Sequence, residues 1–272
     1  IGATAFTTIV SAASGDITVV SREDGSGTRG AFVELFGIEE EKDGEKVDMT
    51  TDEASVTNST SVMMTTVAGD EAAIGYTSLG ALNSSIKALK VDGAEATTDN
   101  VKSGEYKVSR PFNIATKSDL SETAKDFVDF ILSDEGQKVV EDNGYIPVAS
   151  TGAYSGSKPS GKISIGGSSS VTPVMEKLKE AYNAVNPNAT IEINMTDSSS
   201  GMTSAAEGVC DIGMASREVK QSELDKGLVS TTIATDGIAV IVNNENTYDD
   251  LTADQVRRIY IGEITTWSTL EE

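Results

Sequence analysis

Three times along this chain an extended apolar run stops at a cluster of glycine and hydroxyl residues and passes at once into a helical stretch. Residues 16–21 (DITVVS) run into Gly25-Ser26-Gly27-Thr28 and a short helix carrying Phe32, Val33, Leu35 and Phe36. Residues 162–167 (KISIGG) end in Gly167-Ser168-Ser169-Ser170, ahead of a helix that follows Pro173. Residues 189–195 (ATIEINM) meet Asp197-Ser198-Ser199-Ser200-Gly201 and another short helix. Apolar runs of strand length alternating with helical periodicity are the pattern of an α/β protein. A length of 272 residues allows one large domain or two of ordinary size.

The remaining segments fit that class. Leu120, Ala124, Phe127, Val128 and Ile131 form one apolar stripe at helical spacing, and Val174, Leu178, Ala181, Tyr182 and Val185 repeat it. AIGYTSLG at 73–80, IKALKV at 86–91 and the run RPFNIAT from Arg110 read as extended. Residues 39–50 (EEEKDGEKVDMT) are polar and acidic, and the expectation there is a solvated loop or a charged helix end. Residues 149–162 (ASTGAYSGSKPSGK) have the composition of a linker. Residues 1–14 are mildly apolar and end in small residues, which fits the tail of a secretion signal, a first strand or an expression remnant equally.

Charge and residue usage exclude several kinds of chemistry. With 21 Lys+Arg against 43 Asp+Glu the formal charge is −22, so binding to a nucleic-acid backbone has little electrostatic support. The chain has no His, which removes His-activated nucleophiles, His bases and His-ligated metals together. The single Cys210 cannot form an intrachain disulfide or a paired-thiol metal site. No apolar stretch approaches the roughly 20 residues that a membrane-crossing helix needs. No catalytic residue, metal ligand or cofactor is expected from this inventory.

What the three turns favour is an anion. Small residues at a helix N-terminus expose unpaired N–H groups at the positive end of the helix dipole, and Ser and Thr hydroxyls add donors without charge. One such turn alone reads as an ordinary helix cap; three in one chain beside Arg22 point to a shared oxyanion site. A guanidinium offers a planar fork of donors, and Asp24 is a candidate to orient it, the alternative for Arg22 being a surface ion pair. Screening over about 8 Å at physiological ionic strength lets nearby donors outweigh the acidic field of the whole chain.

Other patterns carry less. Gly25-x-Gly27-x-x-Gly30 fits a dinucleotide fingerprint, but the stretch where the second strand and its acidic residue belong is charge-rich and lacks strand character. GSKPSGK at 156–162 imitates a phosphate-binding loop, yet Ile163 stands where Ser or Thr is required and a strand follows. Arg257 and Arg258 are expected on a solvated helix face.

Seven separated blocks carry a resemblance. They are SREDGSGTRGAF at 21–32, AIGYTSLG at 73–80, SRPFNIAT through DFILSDEGQKVVEDNGYIPV at 109–148, GGSSSVTPVMEKL at 166–178, TDSSSGMTSAAEGVCDIGMASRE at 196–218, DGIAVIVN at 236–243 and YIGEITTWSTL at 260–270. Together they resemble the extracytoplasmic phosphate-binding proteins that feed high-affinity phosphate ABC transporters. The resemblance implies a two-lobed periplasmic-binding-protein fold of type II with two crossover strands. Most members of that family open on the GGSSS block and close on the EGQK helix, so the order here looks like a circular permutation. One lobe is then expected to be contiguous, 110–236, and the other assembled from 1–109 and 237–272, with crossovers near 109–116 and 236–243.

By the same resemblance the phosphate ligands fall on Arg22, Ser26, Gly27, Thr28, Ser169, Ser170 and Ser198, with Ser199 and Ser216 nearby and Asp24 holding Arg22. Many relatives carry an Asp after Ser216 that accepts the proton of hydrogen phosphate, whereas this chain has Arg217. The expectation is that Asp236 or Asp197 supplies that acceptor, or that Arg217 pairs with Asp236. The resemblance further implies a monomer outside the cytoplasmic membrane, periplasmic or surface-anchored, that binds inorganic phosphate and partners a permease and its ATPase. The alternatives are a binder of sulfate or molybdate and a phosphate-ester hydrolase.

Overall fold

A computed structural model describes residues 15–271. The opening stretch 1–14, with its three readings above, lies outside the described residues. In chain order the first part gives β1 (Thr18–Arg22), α1 (Gly27–Phe36), β2 (Glu39–Lys42), β3 (Glu45–Asp48), β4 (Ser55–Thr57), α2 (Thr60–Ala68), β5 (Ala73–Ser78), β6 (Lys87–Ala88), β7 (Lys90–Val91) and α3 (Thr98–Ser103). The middle gives β8 (Ser109–Thr116), α4 (Glu122–Leu132), α5 (Asp134–Asp142), β9 (Ile146–Pro147), β10 (Gly161–Ser168), α6 (Thr172–Val185), β11 (Ala189–Thr196), α7 (Ser198–Ala206), β12 (Ile212–Ala215) and α8 (Gln221–Leu224). The last part gives β13 (Val229–Val242), β14 (Asp250–Leu251) and α9 (Ala253–Tyr260).

One mixed sheet organises the molecule, in the order β11-β10-β12-β8-β13-β5-β1-β4. Its pivot is β13, which spans 14 residues. The first part of β13, through Gly237, pairs antiparallel with β8, and Ile238 onward pairs antiparallel with β5. On one side β10 runs parallel to β11 and β12; on the other β1 runs parallel to β4 and β5. Parallel strands covered by helices on both faces read as continuous apolar runs, which is why ITVV and KISI show no alternation.

Two apolar cores follow the same division. One gathers Val20, Phe32, Met63, Tyr76, Val240, Tyr260 and Trp267, all drawn from residues 19–108 and 238–267. The other gathers Phe112, Phe127, Ile165, Leu178, Tyr182 and Met214, all from residues 112–234. The stripes on α4 and α6 are buried as their spacing requires. The linker-like stretch before β10 is irregular and is tied down by Tyr154, whose hydroxyl donates to Asp126 at 2.6 Å.

The acidic stretch 39–50 is neither a loop nor a helix end but the hairpin β2–β3, in register from Glu39 opposite Asp48 to Lys42 opposite Glu45. Asp43 and Gly44 both take positive φ, 54° and 81°, the geometry that an Asp-Gly two-residue turn supplies. Lys46 Nζ reaches Glu39 Oε1 at 2.6 Å, so cross-strand charge pairing stands in for apolar alternation.

The turns that matter sit at the carboxyl ends of strands, the edge of an α/β sheet where ligand crevices form. Their placement depends on a close approach of backbones: a methyl on Gly201 of α7 would lie 2.6 Å from Gly167 Cα and 2.7 Å from Gly166 O on β10. Gly201→Ala is expected to push α7 off the sheet and destabilise the fold by about 1–3 kcal/mol in urea unfolding, an overpacking cost. Unchanged stability would show that the two backbones can part freely.

Candidate anion-binding site

Four helices begin around one buried point. Ser26 caps α1, its hydroxyl accepting from the Arg29 N–H at 3.2 Å, and Ser59 caps α2 by accepting from Val62 N–H at 3.2 Å. Ser168 Oγ accepts from the Ser170 and Val171 amides ahead of α6, and Asp197 caps α7 by accepting from Ser200 N–H at 2.8 Å. With their termini satisfied in this way, the residues around each helix start are free to face inward.

Those residues meet. Thr28 Oγ1 lies 2.7 Å from Ser170 Oγ and 3.4 Å from Ser216 Oγ. Thr60 Oγ1 lies 3.1 Å from both Ser169 Oγ and Ser170 Oγ. Ser198 Oγ accepts from the Ser216 N–H at 3.1 Å and stands 3.4 Å from its hydroxyl. Gly27 has no room for a side chain, since a Cβ there would collide with Ser198 Oγ and Ser216 Oγ. Ser26, Thr28, Ser169, Ser170, Ser198 and Ser216 are all buried. The seven residues expected to bind the anion, with Ser216, therefore gather at one place, drawn from both sides of the sheet.

Two guanidinium groups flank this cluster. Arg22, 2% exposed, donates from Nη2 to Ser169 Oγ at 3.0 Å. Its backbone N–H donates to the Tyr76 hydroxyl at 3.0 Å, and burial pushes that phenol up to about 12. Arg110, 3% exposed, donates from Nη1 to Thr28 Oγ1 at 2.9 Å and to the Ser216 carbonyl at 3.2 Å. The other edge of its fork meets Asp236 Oδ2, with Nη2 at 3.0 Å and Nε at 3.3 Å. Burial pushes the Asp236 carboxyl up and the Arg110 guanidinium down, and the attraction between them opposes both shifts.

Two expectations about the supporting charges are corrected. Arg22 is held not by Asp24 but by Glu23, at 2.7 and 2.8 Å, while Asp24 is fully exposed and reaches Arg29 at 3.4 Å. The tight turn at Gly25 (φ +86°) faces Asp24 to solvent. Arg217 does not pair with Asp236; it forms a two-pronged bond with Glu223, at 2.7 and 2.9 Å, and donates to Ser199 Oγ at 3.1 Å. Burial raises the Glu223 carboxyl, but Arg217 and the Lys220 N–H outweigh it and hold the carboxyl below its ordinary value. Asp197 accepts from the Ser200 N–H with one oxygen and from Ser200 Oγ with the other.

Thr60, Glu23 and Arg110 are the site residues that sequence reasoning missed. The run Asn58-Ser59-Thr60-Ser61 carries helix-cap chemistry ahead of Met63 and Met64, a signal that identifies the start of α2. Arg110 has no local signal, because its partner lies 126 residues away.

The two sides also touch directly. Ser199 N–H donates to the Gly25 carbonyl at 3.1 Å, and a Cβ on Gly25 would lie 2.5 Å from Asp197 Oδ1. A cavity of about 470 Å³ reaches the cluster through Thr60 and Ser169, walled by Met64, Ala81, Pro173 and Met195. Among the described residues no group of three or more Cys, Asp or Glu side chains is arranged to hold a metal ion. The donors, charges and shape suit a small tetrahedral oxyanion.

The comparisons agree with this architecture. A family model described as a PBP superfamily domain matches residues 3–135 and 152–271. "Phosphate-binding protein PstS 2" of Streptococcus agalactiae is 60% identical over 264 residues, covering 96% of this chain and 90% of that protein. The protein of the same name from Streptococcus pneumoniae is 46% identical over 260 residues, covering 95% and 89%. The crystal structure of a phosphate-binding protein of a phosphate ABC transporter from Streptococcus pneumoniae TIGR4 superposes with a TM-score of 0.74 at 46% identity, over 94% of this chain and 100% of that one. By sequence and fold together, the chain belongs to the PstS phosphate-binding proteins of the PBP superfamily.

Proposed function

We propose that this protein captures inorganic phosphate at the Arg22–Arg110 cluster and delivers it unchanged to the permease of an ATP-driven phosphate transporter. The observation that carries the reading is the convergence of two buried guanidiniums with hydroxyls from four helix starts. The names of the Streptococcus relatives support phosphate as the ligand. Capture takes place outside the cytoplasmic membrane, as the transporter role requires; no described helix is long and apolar enough to cross a membrane. Turnover of a phosphate ester is disfavoured because no hydroxyl in the cluster has a free base beside it.

In this reading residues 110–236 form one lobe and the described residues of 1–109 and 237–272 form the other, and they close on the anion as rigid bodies. The crossovers lie near 109–116 and 236–243, where the Arg110–Asp236 pair joins β8 to β13 beside the site. The Ser199–Gly25 hydrogen bond is the point where the lobes latch. We also infer that the block order is a circular permutation. Supporting it, residues 15–17 hydrogen-bond with residues 265–267, Ile17 N–H to Thr265 O at 2.8 Å and Trp267 N–H to Gly15 O at 3.1 Å.

Three outcomes are expected. Arg22→Ala weakens phosphate binding at least a hundredfold by titration calorimetry, a loss of about 2.7 kcal/mol; an affinity within threefold of wild type means the site is misassigned, and wild type shows no phosphate-ester turnover. Arg110→Met leaves Asp236 buried and unpaired and costs about 3–5 kcal/mol in urea unfolding, whereas Arg110→Met with Asp236→Leu recovers most of that loss. A chain reopened within 149–160 and joined end to end folds and binds phosphate as the parent does; failure to fold would remove the permutation.

A further inference from the structure

Arg22 sits at the end of a strand that has already parted from one of its neighbours. The pairing of β1 with β5 covers Thr18 opposite Ala73 and Val19 opposite Ile74, whereas on the other edge β1 stays paired with β4 as far as Arg22 opposite Thr57. Backbone polar groups of alternate residues point to the same edge of a strand, so those of Thr18, Val20 and Arg22 all face β5. The Thr18 N–H donates to the Ala72 carbonyl at 3.0 Å. Further along, the partners are side chains. The Tyr260 hydroxyl donates to the Val20 carbonyl at 2.9 Å, the Tyr76 hydroxyl accepts from the Arg22 N–H at 3.0 Å, and Arg29 Nη1 donates to the Arg22 carbonyl at 2.8 Å. Buried backbone groups must be paired somewhere, and here two phenols and a guanidinium take the place of the ladder.

The phenols can do this because their rings are held. Phe32, Tyr76 and Tyr260 are fully buried. The Phe32 and Tyr76 rings stack with centroids 3.9 Å apart, and Tyr260 meets Phe32 edge-on at 4.7 Å. Tyr76 is itself fixed in the sheet, opposite Val240 of β13. Burial pushes both phenols up, Tyr76 to about 12, so each stays a neutral hydroxyl beside the charged groups. Glu23 orients the Arg22 fork, but as the next residue in the chain it moves with the strand end and cannot decide where that end lies. Tyr76 reaches Arg22 from another strand, 54 residues away.

We propose that Tyr76 is a positioning residue for phosphate capture: its phenol stands in for a strand partner of Arg22 and so fixes where the guanidinium meets Ser169, acting through Arg22 and not on the anion. The proposal rests on the phosphate reading of the same site, and its test tells the two apart. Tyr76→Phe keeps the ring and its stack on Phe32 but removes the acceptor. Titration calorimetry with inorganic phosphate is expected to show an affinity weakened at least about fivefold in Tyr76→Phe. The same substitution made in Arg22→Ala is expected to change affinity by less than about twofold, because the residue through which it acts is gone. Tyr182→Phe, which removes a buried phenol from the other core, is expected to lower stability in urea and leave phosphate affinity within about twofold of wild type. A smaller loss in Tyr76→Phe, a loss that recurs in the Arg22→Ala background, or an equal loss in Tyr182→Phe overturns the proposal while leaving phosphate capture intact. Arg22→Ala binding phosphate as tightly as wild type overturns the phosphate reading of the site itself.

Discussion

Two charged guanidiniums kept below the surface are what the rest of this structure is arranged to tolerate. Removing an ion from water costs several kcal/mol even after relaxation, and a single partner rarely repays it without further hydrogen bonds. Arg22 and Arg110 each have one carboxylate on one edge of the fork and a hydroxyl on the other, Glu23 with Ser169 and Asp236 with Thr28. The carboxylate stabilises the charge, and the hydroxyl carries its polarity inward. A chain of net charge −22 can thus hold a locally cationic pocket, because each buried guanidinium keeps a donor for the cluster after meeting its carboxylate.

The sheet explains why groups so far apart in sequence arrive together. Arg22 ends its strand, and Ser169, Ser198 and Ser216 each lie just past the carboxyl end of one, so each side of the sheet directs its helix starts toward the other. β13 alone belongs to both sides, and β8 lies against its first part. Asp236 sits on β13 one residue before the point where its partner changes from β8 to β5, and Arg110 holds it from β8. The ion pair that orients Thr28 is therefore also the one that ties the crossing strands together. A change in the angle between the two sides must be felt at the hydroxyl cluster.

How much of this was legible depended on whether the deciding interaction is local. The three strand–turn–helix units could be read because glycine turns and hydroxyl caps are properties of four or five adjacent residues. The α4 and α6 stripes could be read for the same reason. The hairpin at 39–48 was lost because its faces are both charged, leaving Asp43-Gly44 as the one signal. Helix α2, with the sequence TSVMMTTVA, was lost because β-branched and hydroxyl residues dilute the helical pattern that buried Met63, Met64 and Val67 supply. That Glu23 and not Asp24 holds Arg22 is decided by the direction of the turn, which composition does not show.

Arg217 stands beside the cluster without turning its charge into it. A guanidinium at that position cannot face two others without a carboxylate of its own, and Glu223 from α8 meets it in a two-pronged bond. That pairing turns Arg217 away from Asp236 and toward Ser199 on α7, where it helps fix the helix start that carries Ser198. The charge is thus spent on holding a hydroxyl-bearing helix in place instead of on the guest.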